Sequence, residues 1–321
     1  MLEPAHEQGK GVCIHADQVY SYAGGVARLA DIFVPSSGSA LQPVVIWLHG
    51  GGWRFGDRRL APDLALFAQN SGLAVVSIDY RLSDEVKFPA PVEDVKTAVR
   101  WVRSVASMFG FDERNIGLWG SSAGAHLAAC AALSGENEFL TEEHPGHSSA
   151  VQAVVDGYGP TNLARIDELR SSLRPVGNDA ESILVGGILP AGDPGSFESR
   201  LVGAPLSDAP RLVRLADPVQ YVRSGGGPPF LILHGQADTL IPAEQSNYLF
   251  EALSAAGCDA TLVLFQNLKH GFFNNPNLAR EDIGTVSIHR SSVPSEPTVW
   301  SCDPTESIPS MVSSFFRAYL G

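Results

Sequence analysis

The chain has 321 residues, 44% of them apolar and only 18% charged, so it can bury a sizeable core and is not a disordered polymer. Its 22 Lys and Arg against 35 Asp and Glu leave a formal charge of −13, the wrong sign for neutralising phosphates, which excludes nucleic acid as a partner. No apolar run approaches the ~20 residues needed to span a bilayer, and Cys13, Cys130, Cys258 and Cys302 are too scattered for a disulfide scaffold or a zinc site.

In chain order, the start Met1–Glu7 has neither a cationic segment nor an apolar stretch, so a cytoplasmic location is expected. Val12–Tyr20 and Ala27–Val34 carry alternating β-formers around Gly24-Gly25, the pattern of a hairpin. Val44–Leu48 is continuously apolar, the mark of a strand covered on both faces. Ala74–Ile78, Ile116–Trp119, Ala153–Val155, Phe230–Leu233 and Thr261–Phe265 repeat that pattern. Helical spacing falls between them, at Asp63–Gln69, Val92–Met108, Ala123–Leu133 and Ala243–Ala256, with a last helix at Ile308–Leu320. The alternation predicts an α/β fold with a mostly parallel, eight-stranded sheet and helices on both faces.

Two stretches break the rhythm. Gly159–Arg223 is long and rich in Pro, Gly and Ser, with short helices expected near Asn162–Leu173 and Asp179–Leu184. Such length suits a cap or lid, in which Leu184, Ile188, Leu189 and Phe197 are candidates to line a pocket. Asn274–Ser307 holds few periodic residues and reads as an extended loop. Neither forms a separate unit, so residues 1–321 are expected to make one domain with two excursions.

The chemistry concentrates at strand ends. Gly120-Ser121-Ser122-Ala123-Gly124 fits G-x-S-x-G at a strand-to-helix junction. A sharp turn there lifts Ser122 clear of the backbone, with glycines on either side where a Cβ would collide. His49-Gly50-Gly51-Gly52-Trp53 directly follows the Val44–Leu48 strand. The amides of Gly51, Gly52 and Ala123 could together hold a developing oxyanion, each such donor being worth about 2.7–4 kcal/mol. Trp53 and Ser121 stand beside these groups as candidate substrate-binding residues. Asp238 follows the Phe230–Leu233 strand and His270 the Thr261–Phe265 strand. The order Ser122, Asp238, His270 suits a nucleophile, an orienting carboxylate and a base in one hydrolase topology.

Other polar residues have plainer readings. His49, His126 and His234 read as structural hydrogen-bonding residues. Asp79 and Arg81 are expected to pair with each other, and Glu93 and Asp94 to favour the start of their helix. One proline of Phe88-Pro89-Ala90-Pro91 is a candidate for a cis bond. His144 and His147, beside Glu142 and Glu143, read as a solvated loop rather than a metal site.

The chain resembles the α/β-hydrolases, and within them the HGGG-bearing esterase/lipase branch, the bacterial feruloyl, acetyl and related carboxylesterases above all. His49–Trp53, Gly56-Asp57, Ile78–Leu82, Phe88–Asp94, Gly120–Gly124 and His270–Phe272 match that family's blocks in order, over roughly residues 26–272. Ala125-His126 after the elbow and the length of Asn274–Ser307 depart from it. The resemblance implies Ser122 as nucleophile, His270 as base and acid, Asp238 as its orienting partner, and an oxyanion hole from Gly51, Gly52 and Ala123. It implies a small-molecule ester as substrate, with feruloyl and acetyl esters the family's type, no cofactor or metal, and an enzyme that can form a homodimer. An arylformamidase or a peptidase-like amide hydrolase on the same triad is the alternative. A non-catalytic binding protein is disfavoured because all three triad residues are present.

Overall fold

A computed structural model describes residues 8–9, 11–36, 41–172, 189–291 and 300–321. Ten strands form a single sheet: β1 (Gln8–Gly9), β2 (Val12–Ser21), β3 (Arg28–Pro35), β4 (Gln42–Leu48), β5 (Ala74–Ile78), β6 (Phe111–Ser121), β7 (Ala153–Gly157), β8 (Phe230–Gly235), β9 (Ala260–Phe265) and β10 (Val286–Arg290). Their order is β1-β2-β3-β5-β4-β6-β7-β8-β9-β10. β5, β4, β6, β7, β8 and β9 run parallel, while β1–β3 and β10 are antiparallel additions at the two edges.

The sheet is therefore larger by two strands than the eight expected. β1 is a two-residue edge. β10 lies inside the excursion expected to be a loop and pairs antiparallel with β9, Val286 opposite Phe265 and Arg290 opposite Thr261. Its residues are half-buried or exposed, so it lacks the continuous apolar run that marks the inner strands.

The helices are α1 (Leu64–Ser71), α2 (Ala90–Ser104), α3 (Ala106–Phe109), α4 (Ala123–Leu133), α5 (Ile166–Ser172), α6 (Phe197–Val202), α7 (Pro210–Leu215), α8 (Glu244–Ala255) and α9 (Ile308–Leu320). The single helix expected over Val92–Met108 is broken at Val105, whose φ/ψ of −105°/7° leaves the helical region. The helix expected near Asp179–Leu184 lies outside the described residues, as do Leu184 and Ile188. The hairpin expected at Gly24-Gly25 is a 3-10 turn over Ala23–Gly25, with positive φ at both glycines.

Strand alternation decides which helix covers which face. Val44, Ile46 and Leu48 of β4 pack with Val92, Val95 and Val99 of α2 and with Leu127 of α4. Val45 and Trp47 point the other way, against Leu64 and Phe67 of α1 and Phe315 and Phe316 of α9. Each such side chain contributes roughly 1.5–3 kcal/mol by leaving water. Covered on both faces, the parallel strands hold their carboxyl ends in fixed positions, the edge where an open α/β sheet places its chemistry.

Candidate active site

β6 ends at Ser121, and α4 begins at Ala123. Between them Ser122 has φ 51° and ψ −118°, a conformation that costs about 1–3 kcal/mol unless its surroundings impose it. They do: Ser122 N donates to Gly157 O at 2.8 Å, and His126 N to Ser122 O at 3.1 Å. The turn also needs its two glycines. A Cβ on Gly124 would stand 2.2 Å from Leu48 O, and one on Gly120 would stand 2.4 Å from Gly124 O.

β8 and β9 bring in the partners. Ser122 Oγ lies 2.9 Å from His270 Nε2, and His270 Nδ1 lies 2.5 Å from Asp238 Oδ2. A carboxylate can only accept, so the proton sits on Nδ1 and leaves Nε2 free to accept from the serine. Asp238 Oδ1 accepts from Leu240 N at 2.9 Å and Ile241 N at 2.8 Å. Burial alone would raise the Asp238 pKa, but the pull of His270 and the hydrogen bonds from His234 and His270 hold it well below the usual carboxylate range. The structure thus brings Ser122, His270 and Asp238 into one chain of contacts across 148 residues of sequence.

The glycine loop after β4 closes the other side. The Gly50 Cα lies against Ser122, since a Cβ there would stand 3.4 Å from the serine Cβ. Gly51 (φ 108°) and Gly52 (φ 58°) take left-handed conformations. Among the described residues, no acceptor takes the amides of Gly51, Gly52 or Ala123. Unpaired backbone donors next to a reactive hydroxyl are what a developing oxyanion requires.

Trp53 and Ser121, the candidate substrate-binding residues, are both buried. Trp53, with φ 57°, is 2% exposed and turns its indole inward, where Nε1 donates to His126 Nδ1 at 3.2 Å. Ser121 is 1% exposed and packs beneath Gly50. Both side chains thus pack against protein groups at the base of the glycine loop. Ser121 is still the last residue of β6, and its side chain stays buried.

The three structural histidines have the partners expected of that role. His49 Nδ1 donates to Gly50 O at 2.7 Å, and its ring stacks on Tyr80 at 4.2 Å. His126 Nε2 donates to Ala216 O at 2.6 Å. Burial pushes the pKa of each down to about 4, so both are neutral at neutral pH. His234 accepts from Ser246 Oγ at 2.7 Å and donates from Nε2 to Ile241 O at 2.8 Å, with Asp238 Oδ2 3.3 Å away. His144 Nε2 donates to Tyr20 O at 2.8 Å, and among the described residues no cluster of His, Cys, Asp and Glu could hold a metal.

The expected Asp79–Arg81 pair does not form. Asp79 accepts from Arg58, and Arg81 pairs with Asp94 and Glu93, so the two neighbours serve different elements. The Phe88–Pro89 bond is cis.

Two residues near the triad carried no sequence signal, and a third, Phe197, was one of four unranked lid candidates. Tyr158, buried with φ 46°, sets its ring edge-on to His270 at 4.8 Å, and its hydroxyl accepts from Phe273 N at 3.3 Å. Asp156 is buried on β7, where burial pushes its pKa up to about 6 despite the hydrogen bond from Gly159 N at 3.0 Å. Phe197 lies over Gly52, where a Cβ would meet its ring at 2.6 Å. Among the described residues, no helix is long and apolar enough to cross a membrane.

Comparison with known proteins places this geometry in context. Residues 30–253 match the BD-FAE family model. Esterase LipQ of Mycobacterium tuberculosis is 33% identical over 232 residues, covering 72% of this chain and 50% of LipQ. Isoprenylcysteine alpha-carbonyl methylesterase ICME of Arabidopsis thaliana is 31% identical over 245 residues, 75% of this chain and 53% of ICME. The chain thus spans about half the length of these curated relatives. Among solved structures, the butyrate-bound esterase Est2 of Thermogutta terrifontis superposes with a TM-score of 0.63 at 28% identity, covering 83% of this chain and 87% of that one.

Proposed function

The chain belongs to the BD-FAE family of α/β-hydrolases, and from that premise we propose that it is a serine carboxylesterase acting on small esters of short or aromatic acids, of acetyl or feruloyl type. The observation that carries this reading is the contact chain from Ser122 Oγ through His270 to Asp238, beside three backbone amides with no acceptor among the described residues. The similarity to LipQ and to butyrate-bound Est2 supports the class of bond.

In this mechanism, His270 Nε2 takes the proton of Ser122 as Oγ attacks the ester carbonyl carbon. The carbonyl oxygen becomes an oxyanion held by the amides of Gly51, Gly52 and Ala123. Asp238 keeps His270 in the required tautomer and stabilises the imidazolium that forms. As the tetrahedral adduct collapses, the carbon–oxygen bond to the alcohol breaks, and His270 gives that oxygen its proton. Water, deprotonated by His270, then attacks the acyl-enzyme, and the acid departs as Ser122 recovers its proton.

The test is hydrolysis of p-nitrophenyl butyrate by wild type and Ser122→Ala. Wild type should turn the ester over and the variant should lose nearly all activity. Turnover retained by the variant would refute the assignment.

A further inference from the structure

The amides assigned to the oxyanion come from two stretches of chain, the glycine loop after β4 and the start of α4. Ala123 opens α4 and is set by the packing of the elbow. Gly51 and Gly52 belong to no strand or helix. Their turn is closed by Arg54 N and Phe55 N, which donate to Gly51 O at 3.1 and 2.9 Å. Inside that turn Trp53 has φ 57°, a left-handed conformation that costs a bulky residue about 1–3 kcal/mol. Two bonds hold it there. Ser83 N donates to Trp53 O at 2.7 Å, and Trp53 Nε1 donates to His126 Nδ1 at 3.2 Å.

His126 is placed by the elbow itself. It lies one turn into α4, with its backbone N donating to Ser122 O at 3.1 Å. Its Nε2 stands 2.6 Å from Ala216 O, and a carbonyl only accepts, so the proton sits on Nε2. Nδ1 is then bare and takes the indole N–H, so one neutral tautomer makes both bonds. Both side chains are buried, which leaves each dependent on the other for its hydrogen bond. Among the described residues, Trp53–His126 is the one side-chain hydrogen bond between residues 49–55 and 120–133. We infer that His126 is a positioning residue for the oxyanion hole. Through the Trp53 indole it sets the glycine-loop amides at the right distance from Ser122 and Ala123. This inference rests on Ser122 acting as the nucleophile and on the three amides holding the oxyanion. A misplacement of about 1 Å in such a site can cost about 10²-fold in rate.

The experiment measures kcat and KM for p-nitrophenyl butyrate, and the Ki of butyl trifluoromethyl ketone, in wild type, Trp53→Phe, His126→Gln and His126→Asn. Circular dichroism checks that each variant folds. The ketone adds Ser122 Oγ at its carbonyl carbon and leaves a tetrahedral oxyanion, so its Ki reads the amides directly. Trp53→Phe removes the indole N–H. A glutamine amide reaches the Nε2 position and keeps the Ala216 bond but not the Trp53 bond. An asparagine oxygen stands near Nδ1 and keeps the Trp53 bond. In Trp53→Phe and His126→Gln, kcat should fall at least about tenfold and Ki rise as much, with KM within about twofold. His126→Asn should turn over at least about fivefold faster than His126→Gln. Unmoved kcat and Ki in Trp53→Phe overturn the inference, as does an equal loss in His126→Asn and His126→Gln or a loss confined to KM. If His126→Gln does not fold, Trp53→Phe decides by the same readings. A wild type that hydrolyses no ester defeats the nucleophile assignment itself, and the inference with it. Wild-type turnover with kcat and Ki unmoved by the variants defeats the inference alone.

Discussion

The triad-bearing strand ends and the segment at residues 159–223 hold the site by different means. At the strand ends, backbone does the positioning. Ser122 is pinned by amides and carbonyls of its neighbours, Asp238 by two loop amides, and the elbow by glycines that admit no Cβ. In the 159–223 segment, the described helices are short and side chains do the positioning, through Arg170–Glu198 and Arg200–Asp84–Arg54. Backbone positioning tolerates almost no substitution. Side-chain positioning can be altered one residue at a time, which suits the part of an enzyme that sets substrate range while the chemistry stays constant.

Disturbing the strand-end half should have the largest effects. Asp238→Asn replaces the acceptor that fixes the His270 tautomer, so kcat on p-nitrophenyl butyrate should fall about 10⁴-fold with the fold intact by circular dichroism. A fall below about tenfold would mean that another group orients the imidazole. Gly124→Ala would place its Cβ 2.2 Å from Leu48 O, a backbone atom of a central strand. Urea unfolding should show a loss of at least about 3 kcal/mol, and a neutral change would contradict the close packing of α4 on β4.

Asp156 sharpens the comparison through pH. Burial raises its folded pKa from 3.8 to about 6, so its contribution to stability is fully present below about pH 4 and is lost as pH rises through 6. Asp156→Asn removes that titration. The variant should gain on wild type by up to about 3 kcal/mol between pH 4 and pH 7.5, measured by denaturant unfolding at each pH. Parallel stability curves would show that the carboxylate is better solvated than its burial implies. The smallest effect belongs to the exposed clamp: Asp84→Ala should cost under about 1 kcal/mol of stability, since solvent screens both of its ion pairs. A loss of several kcal/mol would mean that the clamp holds the fold and not merely α6.

The same division explains what could be read from the sequence. Val44–Leu48, Ala74–Ile78 and Phe230–Leu233 were legible because burial on both faces demands continuous apolar residues, and α4 begins at Ala123 as the elbow pattern requires. β10 was not legible, because a half-exposed edge strand with the sequence Val-Ser-Ile-His-Arg needs no such run. The direction of Trp53 was not legible because its position after the glycines does not set it; the indole lies buried, with Nε1 on His126 Nδ1. Asp79 and Arg81 misled because nearness in sequence at a strand end does not bring side chains together, and Arg58 and Asp94 offered better geometry from other elements. Phe197 was one of four candidates that sequence could not rank, since its contact with Gly52 spans 145 residues and depends on α6 being anchored at both sides.

The most direct measurement is covalent labelling of the intact protein by a fluorophosphonate, read by mass spectrometry of its peptides. Activation of one hydroxyl by His270 predicts a single equivalent of label on Ser122, none on Ser122→Ala, and a much slower reaction in Asp238→Asn. Label on another residue, or an unlabelled wild type, would contradict the account.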